Sequence, residues 1–151
     1  MTIAVEPDLS LLEAVVAQVW TAMLSAESTP WTGTLPDDFT GPGARIRVTG
    51  DWSAEMVLAT TDVGAHSLTR WLLRGDLVTR EDIEDALGEV LNVVAGSLKG
   101  ALSGTSRLGL PMPGTERLAD ISSTPPHLTV SWGGEPVLLA VRPASPERST
   151  P

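Results

Sequence analysis

The segment from Thr79 to Leu102 constrains this chain more than any other. Apolar residues recur there at three- and four-residue steps: Ile83, Leu87, Val90, Leu91, Val94, Leu98, Ala101 and Leu102. At about 100° per residue they fall in one broad sector of an α-helix, and the rest of the fold must cover that sector. Thr79 is a suitable N-cap, and Glu81, Asp82, Glu84 and Asp85 crowd the first turns, where negative charge complements the helix dipole. Gly75-Asp76 breaks the chain before the helix, and Gly104 follows it.

The flanking sequence supplies the cover as strands and two further helices. Arg45 to Thr49 alternates with period two, Gly50-Asp51 marks a turn, and Trp52 to Thr60 reads as the return strand of a hairpin. Arg107 to Pro111 reads as another strand, and His127 to Trp132 and Pro136 to Arg142 form a second hairpin around Gly133-Gly134-Glu135. Asp8 caps an N-terminal helix carrying Leu11, Leu12, Val15, Val16, Val19, Met23 and Leu24, which ends by Pro30. Thr61 or Asp62 caps a short helix whose apolar side is Ala65, Leu68, Trp71, Leu72 and Leu73. Thr29 to Pro42, rich in Gly, Pro, Asp and Thr, reads as a loop with one short strand around Trp31 to Leu35.

Helices and hairpins with few strand–helix–strand units predict an α+β fold, an antiparallel sheet of hairpins covered on one face by helices. Trp20, Trp52, Trp71 and Trp132 are assigned to the core and Trp31 to an exposed loop position. The expected organisation is an N-terminal extension over 1–7, one domain over 8–142, and a Pro-, Ser- and Thr-rich disordered tail over 143–151.

Composition removes several function classes. The 151 residues carry 10 Lys+Arg against 19 Asp+Glu, a net charge of −9, which opposes charge-driven nucleic-acid binding. With no Cys, disulfides, thiolate metal sites and Cys nucleophiles are excluded. Glu6 and Asp8 stand where a secretory signal would need positive charge, and Leu9 to Leu24 is too short and too polar to span a bilayer. A soluble, cytoplasmic protein with no membrane partner is expected.

The far side of the long helix is the informative one. Asp85, Glu89, Asn92, Gly96 and Lys99 share a stripe about 80° wide, opposite the apolar sector. Most polar helix faces are simply solvated. Here, however, Asn is a mediocre helix former, and an interior Gly costs about 1 kcal/mol relative to Ala. An outward Gly leaves a flat spot that another backbone can approach, so a carboxylate, a carboxamide and a flat spot on one rigid rod describe a docking surface. The remaining candidates are weaker. His66 and His127 lack partners at metal-ligand spacing, and the acidic cluster over Glu81 to Asp85 lacks a calcium loop. Ser97, Ser103 and Ser106 lack a nucleophile elbow, and Gly41-Pro42-Gly43 lacks the Lys of a phosphate loop. No metal site is predicted.

The run from Asp82 to Lys99 resembles the signature of CheX-type chemotaxis phosphatases, grouped with CheC and FliY. These share the pattern Asp/Ser-x-x-x-Glu-x-x-Asn followed by a downstream Pro. Asp85, Glu89 and Asn92 stand at its three helical positions, and Gly96 and Lys99 match the CheX continuation. The order of elements is similar from about Asp8 to Arg142. The resemblance implies a CheX/CheC-like fold and a phosphatase acting on the phospho-aspartate of a CheY-like response regulator. Glu89 would pair with the regulator's active-site Lys, Asn92 would position the attacking water, and Asp85, Gly96 and Lys99 would bind the partner. It also implies no cofactor of this chain's own, Mg²⁺ on the regulator, and a homodimer joined through sheet edges. Pro111 and Pro113 both lie near the family Pro, and neither matches its nominal spacing from Asn92. A catalytically silent binding or adaptor module on the same fold is the alternative, and the presence of both Glu89 and Asn92 favours the enzyme.

Overall fold

Each of the three longer helices starts on the cap its sequence supplies. In the computed structural model, which describes residues 7–102, 104–122 and 126–143, the Asp8 carboxylate accepts the Leu11 N–H at 2.8 Å ahead of α1 (Leu9–Leu24). Thr61 accepts the Gly64 N–H at 2.9 Å ahead of α2 (Asp62–Leu73). Before α3 (Arg80–Ala101) the cap is reciprocal: Asp82 N–H donates to Thr79 Oγ1 at 3.1 Å, and Thr79 N–H donates to the Asp82 carboxylate at 2.9 Å. Residues 1–6 of the expected extension and 144–151 of the tail expected over 143–151 lie outside the described residues, whereas Pro143, the first residue of that tail, ends a strand.

The strands are β1 (Thr29–Pro30), β2 (Thr40–Gly50), β3 (Ala54–Thr60), β4 (Ser106–Leu108), β5 (Met112–Arg117), β6 (His127–Trp132) and β7 (Glu135–Pro143), with a one-turn helix α4 (Leu118–Ser122) after β5. They form one antiparallel sheet in the order β1-β6-β7-β3-β2, with β5 and β4 sharing the far edge of β2. Side chains alternate across the sheet. Ile46, Val48, Met56, Leu58, Leu139 and Val141 meet α1, α2 and α3 on one face in the main core. Val57, Ala59, Leu138 and Ala140 point the other way, where Ile121, Leu118, Leu35 and Phe39 build a smaller cluster.

That second face also carries a charged ladder across four strands. Glu116 on β5 is 1% exposed and accepts two hydrogen bonds from Arg45 on β2, at 2.5 and 2.9 Å. Arg45 lies 3.5 Å from Glu55 on β3, which in turn accepts from Arg142 on β7 at 2.7 Å. The hydrogen bonds to Glu116 raise the Arg45 pKa above its ordinary value, against the opposing effect of partial burial.

Several boundaries differ from the sequence reading. The short strand is Thr29–Pro30, not Trp31 to Leu35, and β2 starts at Thr40, inside the expected loop. A Cβ at Gly41 would strike the Thr60 carbonyl oxygen and one at Gly43 the Leu58 carbonyl oxygen, so these glycines permit strand pairing where their composition suggests a break. The return strand β3 begins at Ala54. The strand expected over Arg107 to Pro111 ends at Leu108, and a separate strand, β5, follows it. Trp71, assigned to the core, is 46% exposed, leaning edge-on against Trp132 at 6.3 Å and donating its indole N–H to the Met23 carbonyl at 3.4 Å. Trp31, assigned to an exposed position, is half-buried.

Arg45→Met removes the partner of a carboxylate that has no access to water. The expected loss is about 2 kcal/mol, the scale of hydrogen bonds to a charged group, read as a lower urea midpoint with an unchanged slope. An unchanged midpoint would contradict this role for the ladder.

Candidate functional site

Helix α3 is about 33 Å long at 1.5 Å per residue, and burial fixes its rotation about its own axis. Leu87, Val90, Leu91, Val94 and Leu98 are buried against the sheet and the neighbouring helices. Ile83 is half-buried, and Ala101, assigned to the core sector from its spacing, is exposed. On the opposite side Asp85 and Glu89 are exposed and Asn92 is half-buried. The three therefore lie on one line facing away from the sheet, as their helical spacing requires. Asn92 is the only asparagine in the chain and Lys99, exposed near the C-terminal end of the same stripe, its only lysine.

The line is a ridge between two grooves. On one side a groove of about 450 Å³ runs between α3 and the β4–β5 connection, lined by Asp85, Gly88, Glu89, Asn92, Leu110 and Pro111 among others. On the other side a groove of about 360 Å³ runs towards the end of α2, lined by Leu72, Leu73, Asp82, Asp85, Ala86 and Glu89. Asp85 and Glu89 border both, whereas Asn92 borders only the first.

The first groove owes its wall to a local mismatch in the sheet. Leu108 pairs with Val48 and Met112 with Arg45, so four steps of one chain oppose three of the other. The extra residue makes the connection bulge, and the Gly109 N–H, donating to the Arg47 carbonyl at 2.8 Å, holds its root. Pro111 is thereby laid over α3 at Gly88, where an added Cβ would stand 3.2 Å from the Pro111 Cβ. Sequence reasoning passed over Gly88 as a contact; its signal was an interior helix glycine, the same cost that drew notice at Gly96. At Gly96 an added Cβ would meet only a Leu108 methyl, at 3.9 Å.

The weaker candidates stay apart from the ridge. His66 is exposed, with Nδ1 3.1 Å from the Asp62 carbonyl, and His127 is exposed at the start of β6. Glu84 lies 3.7 Å from Arg80 one turn back. Ser97 is half-buried on α3, Ser106 is buried in β4, and Ser103 lies outside the described residues. Among the described residues no group of three His, Cys, Asp or Glu is placed to hold a metal ion, and no helix is long and apolar enough to cross a membrane.

The fold has counterparts among known proteins. The family described as chemotaxis phosphatase CheX matches residues 42–128, more than half of the chain, and the chain belongs to that family. No curated protein matches the sequence. Among solved structures, the chemotaxis protein CheX of Vibrio vulnificus superposes with a TM-score of 0.70 at 16% identity, over 93% of this chain and 99% of that one. CheX from the CheX–CheY–BeF3–Mg²⁺ complex of Borrelia burgdorferi gives 0.65 at 15% identity, over 90% and 98%. FliY of Thermotoga maritima gives 0.57 at 16% identity, over 89% and 84%. At these identities the likeness is one of fold.

The two α3 glycines make a direct comparison. Gly96→Ala should raise stability by about 0.5–1 kcal/mol through helix propensity alone. Gly88→Ala should gain less or lose, because Pro111 must move. Equal gains in urea denaturation would contradict the packing of the bulge on α3.

Proposed function

We propose that this chain hydrolyses the phospho-aspartate of a CheY-like response regulator, with Glu89 and Asn92 carrying the chemistry. What supports this most is the pairing of an exposed carboxylate and a carboxamide one turn apart on the outward side of α3, in a chain of the CheX family. In the reaction a water oxygen attacks phosphorus, the bond from phosphorus to the aspartyl oxygen breaks, and the products are inorganic phosphate and a free carboxylate. Phosphoryl transfer of this kind needs little covalent help; positioning and electrostatics supply most of the acceleration. The Asn92 carboxamide orients the water through its carbonyl oxygen and adds no charge near the phosphoryl oxygens. Glu89 pairs with the regulator's active-site Lys, which seats the ridge in register. Asp85, Gly96 and Lys99 extend the contact along the stripe. The Mg²⁺ belongs to the regulator, so this chain contributes no ligand to it.

The reading is tested by adding the purified protein to a phosphorylated cognate regulator and following phosphate release. Release faster than the regulator's own decay is expected, and Asn92→Ala should slow it by about 10²-fold or more, on the scale of losing one positioned hydrogen-bonding group. The Asn92→Ala fold should be at least as stable as the wild type, since Ala is the better helix former. Gly96→Leu should block docking with the helix intact. Binding with an unaltered phosphate lifetime would select the silent adaptor instead, and equal rates for wild type and Asn92→Ala would overturn the assigned roles.

A further inference from the structure

Of the exposed large apolar side chains, Leu110 and Leu73 line the two grooves beside the ridge. Leu110, at the crest of the bulge, is 83% exposed and forms the outer lip of the groove that holds Asn92. Leu73, at the end of α2, is 51% exposed and forms the outer lip of the opposite groove. Between these two leucines stand Asp85 and Glu89, and neither groove has an Arg or Lys among its lining residues. An acidic ridge flanked by two apolar lips suits a partner pocket that offers a cationic side chain, as the regulator's active-site Lys would, with apolar surface around it.

Leu110 gains little from its position in the free chain, and Leu73 leaves half of its surface in water. A large apolar side chain held in water contributes little to folding, whereas covering it in an interface is favourable in proportion to the area removed from water. The bulge that lifts Leu110 is the same one that seats Pro111 on Gly88, so the lip is held at a fixed height beside the ridge. Leu73 is held likewise as the last residue of α2, with its neighbour Leu72 packed on the main core.

We infer that Leu110 and Leu73 are the affinity-determining grips of the site, closing on apolar surface around the phosphorylated regulator's active-site pocket while the ridge enters it. This rests on the proposed phosphatase reading and adds to it which residues set affinity rather than rate. Commitment to the regulator as occupant follows from continuity: Asp85 and Glu89 belong to both grooves, so whatever receives the ridge also covers the lips.

The test separates binding from turnover. Phosphate release is measured against regulator concentration for wild type, Leu110→Ser, Leu73→Ser and, as a control on an exposed apolar residue lining neither groove, Val63→Ser. Binding to the beryllofluoride-loaded regulator is titrated in parallel. The expected result is a KM and a Kd raised about tenfold in each leucine variant, equivalent to about 1.4 kcal/mol, with kcat and thermal midpoint close to wild type and Val63→Ser unaltered. Leucine variants with unchanged KM and Kd, or a fall in kcat alone, would overturn the inference while leaving the phosphatase reading intact. A wild type that binds the regulator without accelerating release, with binding still weakened by Leu110→Ser, would uphold the grips and remove the hydrolysis. A wild type that neither binds nor accelerates would overturn both.

Discussion

The seating of one helix on one strand underlies the rest of this structure. Leu87, Leu91 and Leu98 are buried from α3 in the main core, where α3 lies across β2 with Ile46 and Val48. Each such leucine contributes on the order of 1.5–3 kcal/mol by leaving water. Turning the helix by a single residue, about 100°, would take most of that sector out of the core. The rotation of α3 is therefore fixed, and so is the direction in which Asp85, Glu89 and Asn92 project. The site is a consequence of burial on the other side of the same rod.

β2 does more than carry the helix. It is the strand on which the two long pairings and the broken edge meet: β3 on one side, β5 and then β4 on the other. The bulge between β4 and β5 exists because both strands pair to β2 with a one-residue excess between them, and that excess builds the wall beside Asn92. On the far face of the sheet Arg45 neutralises the buried Glu116 and reaches Glu55, tying β5 to β2 and β3. The register of β5, and with it the position of Pro111 over Gly88, depends on this pairing as well as on the backbone ladder.

Much of this was legible in the sequence where the determinants are local. The caps Asp8, Thr61 and Thr79 sit three residues before the N–H groups they accept, so local sequence finds Asp8 and Thr79 and narrows the second cap to Thr61 or Asp62. The polar stripe follows from helical arithmetic once α3 is recognised, and the second hairpin follows from alternation around Gly133-Gly134. What was not legible is non-local. Gly41-Pro42-Gly43 reads as a breaker until the carbonyls of β3 are brought alongside, and then glycine is what pairing demands. β5 escapes notice because its residues are mostly exposed, which leaves no apolar period to find. Trp71 carries the hydrophobic signal of a core residue, yet it ends at a rim, because α2 buries only Gly64, Ala65, Leu68 and Thr69. The ridge was readable one residue at a time, and its two flanking lips needed the fold.

The central claim is that the outward face of α3 is what enters the regulator, and the chain's composition allows a direct reading of it. Only Asn92 and Gln18 carry side-chain carboxamides, and Gln18 is exposed on α1, remote in sequence from the ridge. In a ¹⁵N-labelled sample they give two side-chain NH2 pairs. On titration with beryllofluoride-loaded regulator the Asn92 pair should shift or broaden while the Gln18 pair stays in place. Movement of the Gln18 pair alone, or binding that leaves the Asn92 pair unperturbed, would contradict the account.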